Sequence, residues 1–271
     1  MSPKTSVVAN GTTNENSHND SASTILTESH PLYNHKHRVE PELNKKEEYP
    51  RWIGQKFEPD GRLLSFPGNT VICHLSPQSE LHHALQGLYK ELKEGEFASL
   101  QALLPPTSWH MTIFEGVSDK MRKHGVWPDN LPPDASLDGC NALFNQKLAA
   151  FDLETEPPFR MAVYGFEPLE DGVALRVVPA SPAEERRLRR LRDRLSKVLQ
   201  TRHLGHNHYS FHVSVSYMLR YLSQEEHEKF WTFLQEYLSK LPEYFELGAP
   251  EFCTFDDMFA FRREFFLQKQ S

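Results

Sequence analysis

Four histidines in this chain are followed, two residues later, by a hydroxyl: His74 by Ser76, His110 by Thr112, His208 by Ser210 and His212 by Ser214. On a β-strand, residues two apart point to the same face. Such a pair therefore presents an imidazole and an O–H donor side by side. Imidazole changes charge near neutral pH and serves as either general acid or general base. A neighbouring hydroxyl donates a hydrogen bond to a developing anionic oxygen. Two such pairs facing one another would suit displacement at phosphorus, with one imidazole activating water and the other protonating the departing alkoxide. The hydroxyls would hold the non-bridging oxygens without a metal. Which histidine takes which role is open from sequence.

Context separates the four. His110 lies within Trp109-His110-Met111-Thr112-Ile113, and His212 within Tyr209-Ser210-Phe211-His212-Val213-Ser214-Val215-Ser216-Tyr217; both stretches alternate strictly between apolar and polar. That period of two predicts half-buried strands with the histidine–hydroxyl pairs on the polar face. His74 sits at a strand end before Pro77, and His208 in a turn. The candidate catalytic residues are His110 and His212, with Thr112 and Ser214 as phosphate-binding hydroxyls. By the same parity Ser108, Phe114, Ser210 and Ser216 would line the cleft. Phe66 could stack a base, and Arg176 could meet a phosphate. A strand histidine also commonly sits in a core bonded to a carbonyl, so one motif alone would mean little.

The elements that must position these residues follow from pattern. Thr70–Leu75 reads as a buried strand and Ser108–Phe114 as the first alternating strand. Helices are predicted from Pro77 to about Glu94, Leu137 to Phe151, Pro182 to about Leu204 and Ser223 to Leu241, each with apolar residues at helical spacing. Phe159–Phe166 and Val173–Val178 read as a hairpin around Glu170-Asp171-Gly172, and the last strands fall near Glu246–Phe255 and Met258–Leu267. The arginine run of the third helix is expected to be a solvated face. Each half thus offers a strand, a helix and a histidine-bearing strand. The expected class is α+β and bilobal, with two mostly antiparallel sheets flanked by helices in pseudo-twofold arrangement about a central cleft. Residues 1–47, rich in Ser, Thr, Asn and His, lack the apolar content to offset ordering entropy and are expected to form a disordered tail; 48–271 would be one domain.

Composition narrows the function classes. A net charge of −7 with pI near 6.1 argues against strong non-specific nucleic-acid binding. The cysteines, Cys73, Cys140 and Cys253, are three and far apart, so neither a disulfide framework nor a zinc knuckle is indicated. No apolar run reaches the roughly 20 residues of a membrane span, and no signal-peptide core opens the chain. A cytoplasmic protein, with a nuclear location also compatible, and a monomer are expected.

The residues Trp109-His110-Met111-Thr112-Ile113 and Phe211-His212-Val213-Ser214-Val215, 102 positions apart (212 − 110), resemble the paired motifs of the 2H phosphoesterase superfamily. The similarity extends from about Phe57 to Phe266, and Leu64-Ser65-Phe66-Pro67-Gly68-Asn69-Thr70-Val71 looks like the opening of a branch without settled function. The resemblance implies a two-lobed fold with its site in the cleft. It implies metal-independent hydrolysis of phosphoesters, typically 2′,3′-cyclic nucleotides, RNA ends or nucleotide-derived substrates, with no cofactor and no metal. Two rivals follow from the residues: a non-catalytic nucleotide or RNA-end binding module, and a metallohydrolase using His203, His206, His208 and His212.

Overall fold

The β-branched, apolar run at Thr70–Ile72 forms the middle of β1 (Gly68–His74), and every strand pairing around it is antiparallel. The computed structural model describes residues 48–270, which belong to one compact unit; the tail expected over 1–47 lies outside the described residues. β1 is flanked by β3 (His110–Ser118) and β9 (Glu251–Phe255), and β10 (Arg262–Phe266) completes this half. The second half runs β6 (His212–Ser214), β5 (Ala174–Pro179), β4 (Phe159–Phe166) and β8 (Tyr244–Leu247). The two expected sheets are continuous. They meet where β3 pairs with β6 at Met111 and Val213, giving eight strands in the order β10-β9-β1-β3-β6-β5-β4-β8. A separate ribbon joins β2 (Gln101–Leu103) to β7 (Ser216–Met218).

Among the described residues four α-helices pack on the sheet, each started by a serine whose side chain accepts a backbone N–H. They are α1 (Glu80–Glu94, capped by Ser79), α2 (Leu137–Ala149, Ser136), α3 (Pro182–Leu199, Ser181) and α4 (Gln224–Leu238, Ser223). The first begins three residues later than the pattern predicts because Ser79, not Pro77, supplies the cap. α3 stops at Leu199 rather than near Leu204, where Gln200 turns left-handed. Leu81, Leu85, Leu88 and Leu92 of α1 and Leu188, Leu191, Leu195 and Leu199 of α3 are buried with Trp109, Met111, Ile113 and Val213. Each such side chain contributes about 2 kcal/mol by leaving water.

Two stretches depart from their pattern. The strand expected near Glu246–Phe255 is divided at Gly248-Ala249-Pro250 into β8 and β9, which lie towards opposite ends of the sheet. The alternation from Tyr209 to Tyr217 is not one strand but two short ones broken at Val215. The carbonyl of Val173 accepts from both Val215 N (2.8 Å) and Ser216 N (3.2 Å). Two successive residues opposite one is a bulge, and it reverses the parity beyond it.

Candidate active site

The seam between the halves assembles the site. Met111 and Val213 pair there with no exposed surface, both on the core face. That register sets His110 opposite Ser214 and Thr112 opposite His212 on the other face. Each histidine thus faces the hydroxyl that follows the other one. Directly opposed residues hold their Cβ atoms about 5 Å apart, so the four groups surround one small volume. All four are half-buried.

The two rings are held alike. His110 Nδ1 donates to the Ser108 carbonyl at 2.7 Å, and His212 Nδ1 to the Ser210 carbonyl at 3.0 Å. A carbonyl only accepts, so the proton of each neutral ring is fixed on Nδ1 and the Nε2 lone pair is left for chemistry. The same contact, two residues back on two related strands, is the local expression of the twofold pattern.

The electrostatics are not symmetric. Burial pushes the His110 imidazole down to about 3; the Ser108 carbonyl opposes this, while positive charge on His74, His212 and Lys56 adds to it. His110 is therefore neutral at physiological pH. The Thr112 hydroxyl neighbours the Tyr209 phenol, whose own ionisation is pushed up chiefly by burial and next by the Glu115 carboxylate. Tyr209 lies under the Arg192 guanidinium, 4.0 Å from the ring centre. Arg192, fully buried, also donates to the Ile113 carbonyl (2.6 Å) and pairs with Glu115 (3.1 Å). The solvated arginine face expected for α3 holds only for Arg186 and Arg190: Arg192 is buried, and Arg187, Arg189 and Arg194 are half-buried over Phe159, Phe211 and Phe151.

The remaining sequence candidates divide. Arg176 pairs with His212 across β5 and β6, so it stands beside the quartet, 3.9 Å from Glu167 and over the Tyr164 ring. Phe114 does not line the cleft. β3 gains one residue against β1 between Thr112 and Phe114, which turns Phe114 into the core opposite Val71. Ser216 is also turned inward by the bulge, its hydroxyl bridging Gln101 (2.5 Å) and Val173 N (3.2 Å). Ser108 is buried with its hydroxyl on Pro105, and Ser210 is exposed with its hydroxyl on Glu167; both serve the site through their carbonyls. Phe66 is buried edge-on to Trp52 and is not an open stacking platform.

Three neighbours of the site were not picked out by pattern. His74 lies opposite His110 in the β1–β3 register, ring centres 6.1 Å apart, and its Nδ1 donates to buried Glu251 at 3.0 Å. Its His-x-Ser spacing is the available signal, although it falls at a strand end. Lys56 comes from the segment before β1, and Tyr209 from the chain just before β6.

For metal binding, the histidines at 203, 206, 208 and 212 do not converge: His203 Nε2 bonds the Gly116 carbonyl and His206 Nε2 bonds Asp193. The group that does converge among the described residues is His74, Glu251 and Cys253, with donor atoms within 4.8 Å. Its chemistry fits a metal poorly. Glu251 is already shared between His74 and Arg263 (3.2 Å), and burial, followed by the Glu251 charge, pushes the Cys253 thiol up to about 12.

A family profile described as "2H-phosphodiest: Domain of unknown function (DUF1868)" matches residues 56–171. The chain is 30% identical to a crystallised conserved protein of unknown function, ATU0111, from Agrobacterium tumefaciens str. C58. That similarity covers 82% of this chain and 94% of that one, with a TM-score of 0.75. A second structure, TT0787 of Thermus thermophilus, is 12% identical over 75% of this chain and all of its own, with a TM-score of 0.41. No curated protein matches.

Proposed function

The chain belongs to the 2H phosphoesterase-like superfamily, in a branch of uncharacterised function, and from that premise we propose that it hydrolyses a cyclic phosphodiester of the 2′,3′-cyclic nucleotide class by two-histidine acid–base catalysis. The observation that carries the proposal is the seam quartet, in which two Nδ1-anchored imidazoles alternate with two hydroxyls around one volume.

His110, neutral with its Nε2 lone pair free, takes the proton of the attacking water. His212, entering the step as the imidazolium with its Nδ1 proton still on the Ser210 carbonyl, gives its Nε2 proton to the departing alkoxide. The P–O bond to water forms as the P–O bond to the sugar oxygen breaks, leaving a phosphomonoester and a free hydroxyl; His110 then releases to solvent the proton it took, and His212 regains one. Thr112 and Ser214 hydrogen-bond the non-bridging oxygens as charge builds on them. Tyr209 orients Thr112 and Arg176 adds positive charge near His212.

The test is a panel of 2′,3′-cyclic nucleotides and linear controls assayed in EDTA. Opening of the cyclic esters in chelator supports the proposal. Tight binding without cleavage would point to a recognition module instead, and activity abolished by chelation to a metal-dependent hydrolase.

A further inference from the structure

Beyond the seam quartet, two further basic side chains, His74 and Lys56, stand on the His110 side of the site in a chain whose net charge is −7.

His74 sits on β1, one strand beyond His110 and away from His212. A phosphate held between His110 and His212 is on the other side of His110, so His74 faces a different part of any bound molecule. Its ring is anchored as a binding group would be. Glu251, buried with a side chain 5% exposed, accepts from His74 Nδ1 and from His74 N (3.4 Å). Burial raises the Glu251 carboxyl, but the His74 hydrogen bonds and charge and the Arg263 charge outweigh it and hold the group ionised. The His74 side chain keeps 22% of its surface exposed, and Nε2 is its remaining ring nitrogen.

Lys56 supplies a second, independent observation. It is 9% exposed, and its ammonium donates to the Tyr217 hydroxyl at 2.9 Å. Its centre is 3.8 Å from the Trp52 ring and 4.8 Å from that of Tyr217. Among the described residues it has no carboxylate partner. Aromatic faces stabilise a buried cation only in part, and a buried charge without a counter-ion is costly. The β9–β10 loop links Lys56 to the site: Met258 meets the Tyr217 hydroxyl that Lys56 holds (3.7 Å), and Phe261 lies against the His110 ring (4.3 Å).

We propose that His74 and Lys56 form a subsite for a second anionic group on the substrate, so that the preferred molecule is a cyclic nucleotide bearing a further phosphate. The inference rests on the hydrolytic reading for the placement of the first phosphate.

Equilibrium binding to the full chain tests it. Adenosine 2′,3′-cyclic phosphate is compared with its 5′-phosphorylated form by calorimetry in EDTA, in a His212→Ala background that suppresses turnover. The doubly anionic ligand should bind about tenfold tighter or more, the scale of charge-assisted hydrogen bonds. His74→Gln and Lys56→Met should each bring that ratio down to about threefold or less. Lys56→Arg should retain most of it, as should Lys240→Met at an exposed lysine paired with Glu91. Equal affinity for the two ligands in the parent chain overturns the subsite, as does a ratio unchanged by both charge-removing variants. If the ratio is present but the otherwise unmodified chain opens neither cyclic ester, the hydrolytic reading fails and the subsite stands; if the chain turns over but the ratio is absent, the subsite fails and the hydrolytic reading stands.

Discussion

At the scale of single residues, the two histidines share a tautomer but differ in charge environment. His110 has a free-imidazole value near 6.5 when the chain is unfolded and about 3 when folded. Between those limits the unfolded state binds a proton that the native state refuses, so this site subtracts stability progressively as pH falls from about 6.5 towards 3. His110→Gln should remove that penalty. Urea midpoints of wild type and variant, followed from pH 7 to 4.5, should diverge in the variant's favour as pH falls; a constant difference would mean that the ring is not held neutral. Tyr209→Phe removes the phenol from Thr112 while keeping the ring under Arg192. If the phenol orients Thr112 during the reaction, its loss should cost about 1 kcal/mol in the transition state, the scale of one hydrogen bond and roughly fivefold in kcat. Steady-state kinetics with unchanged kcat would show that Thr112 does not need it.

At the scale of elements, the site depends on where strands bend. Gly116 in β3 has φ of +64°, and a Cβ there would stand 2.1 Å from the Asn69 carbonyl oxygen. Gly116→Ala should therefore destabilise the fold by about 2 kcal/mol or more, measured as a lower denaturant midpoint at unchanged slope. Bends also mark the limit of what pattern could reveal. Alternation correctly set His110, Thr112, His212 and Ser214 on one face, because each pair lies within a regular stretch. It misplaced Phe114 and Ser216, because each lies beyond an inserted residue that reverses parity. A bulge is fixed by which carbonyl a partner strand offers, and the local sequence does not record that. Helices were legible to within a few residues, since apolar spacing and serine caps are local signals. His74, Lys56 and Glu251 were not legible as one group, because register across β9, β1 and β3, together with the segment before β1, brings them together.

At the scale of the whole molecule, the two halves are joined by a narrow seam, and among the described residues no helix is long and apolar enough to cross a membrane. Arg192 braces that seam from α3 by holding the Ile113 carbonyl, Glu115 and Tyr209 at once. Arg192→Ala would leave a carboxylate and a carbonyl short of partners at a buried site, so a loss of about 3 kcal/mol or more is expected. Thermal unfolding should show it as one cooperative transition at lower temperature, and a shift within error of zero would mean that the brace is dispensable. The seam also makes catalysis a property of both halves together. The most direct test compares wild type, His110→Ala, His212→Ala and the double variant on one 2′,3′-cyclic nucleotide in EDTA. Each single change should lower kcat by about 10²–10⁴-fold, and the double change should cost little more than the worse single one, because the two groups act in one step. Either single variant turning over near the wild-type rate, or losses that simply multiply, would contradict a shared phosphate between the two imidazoles.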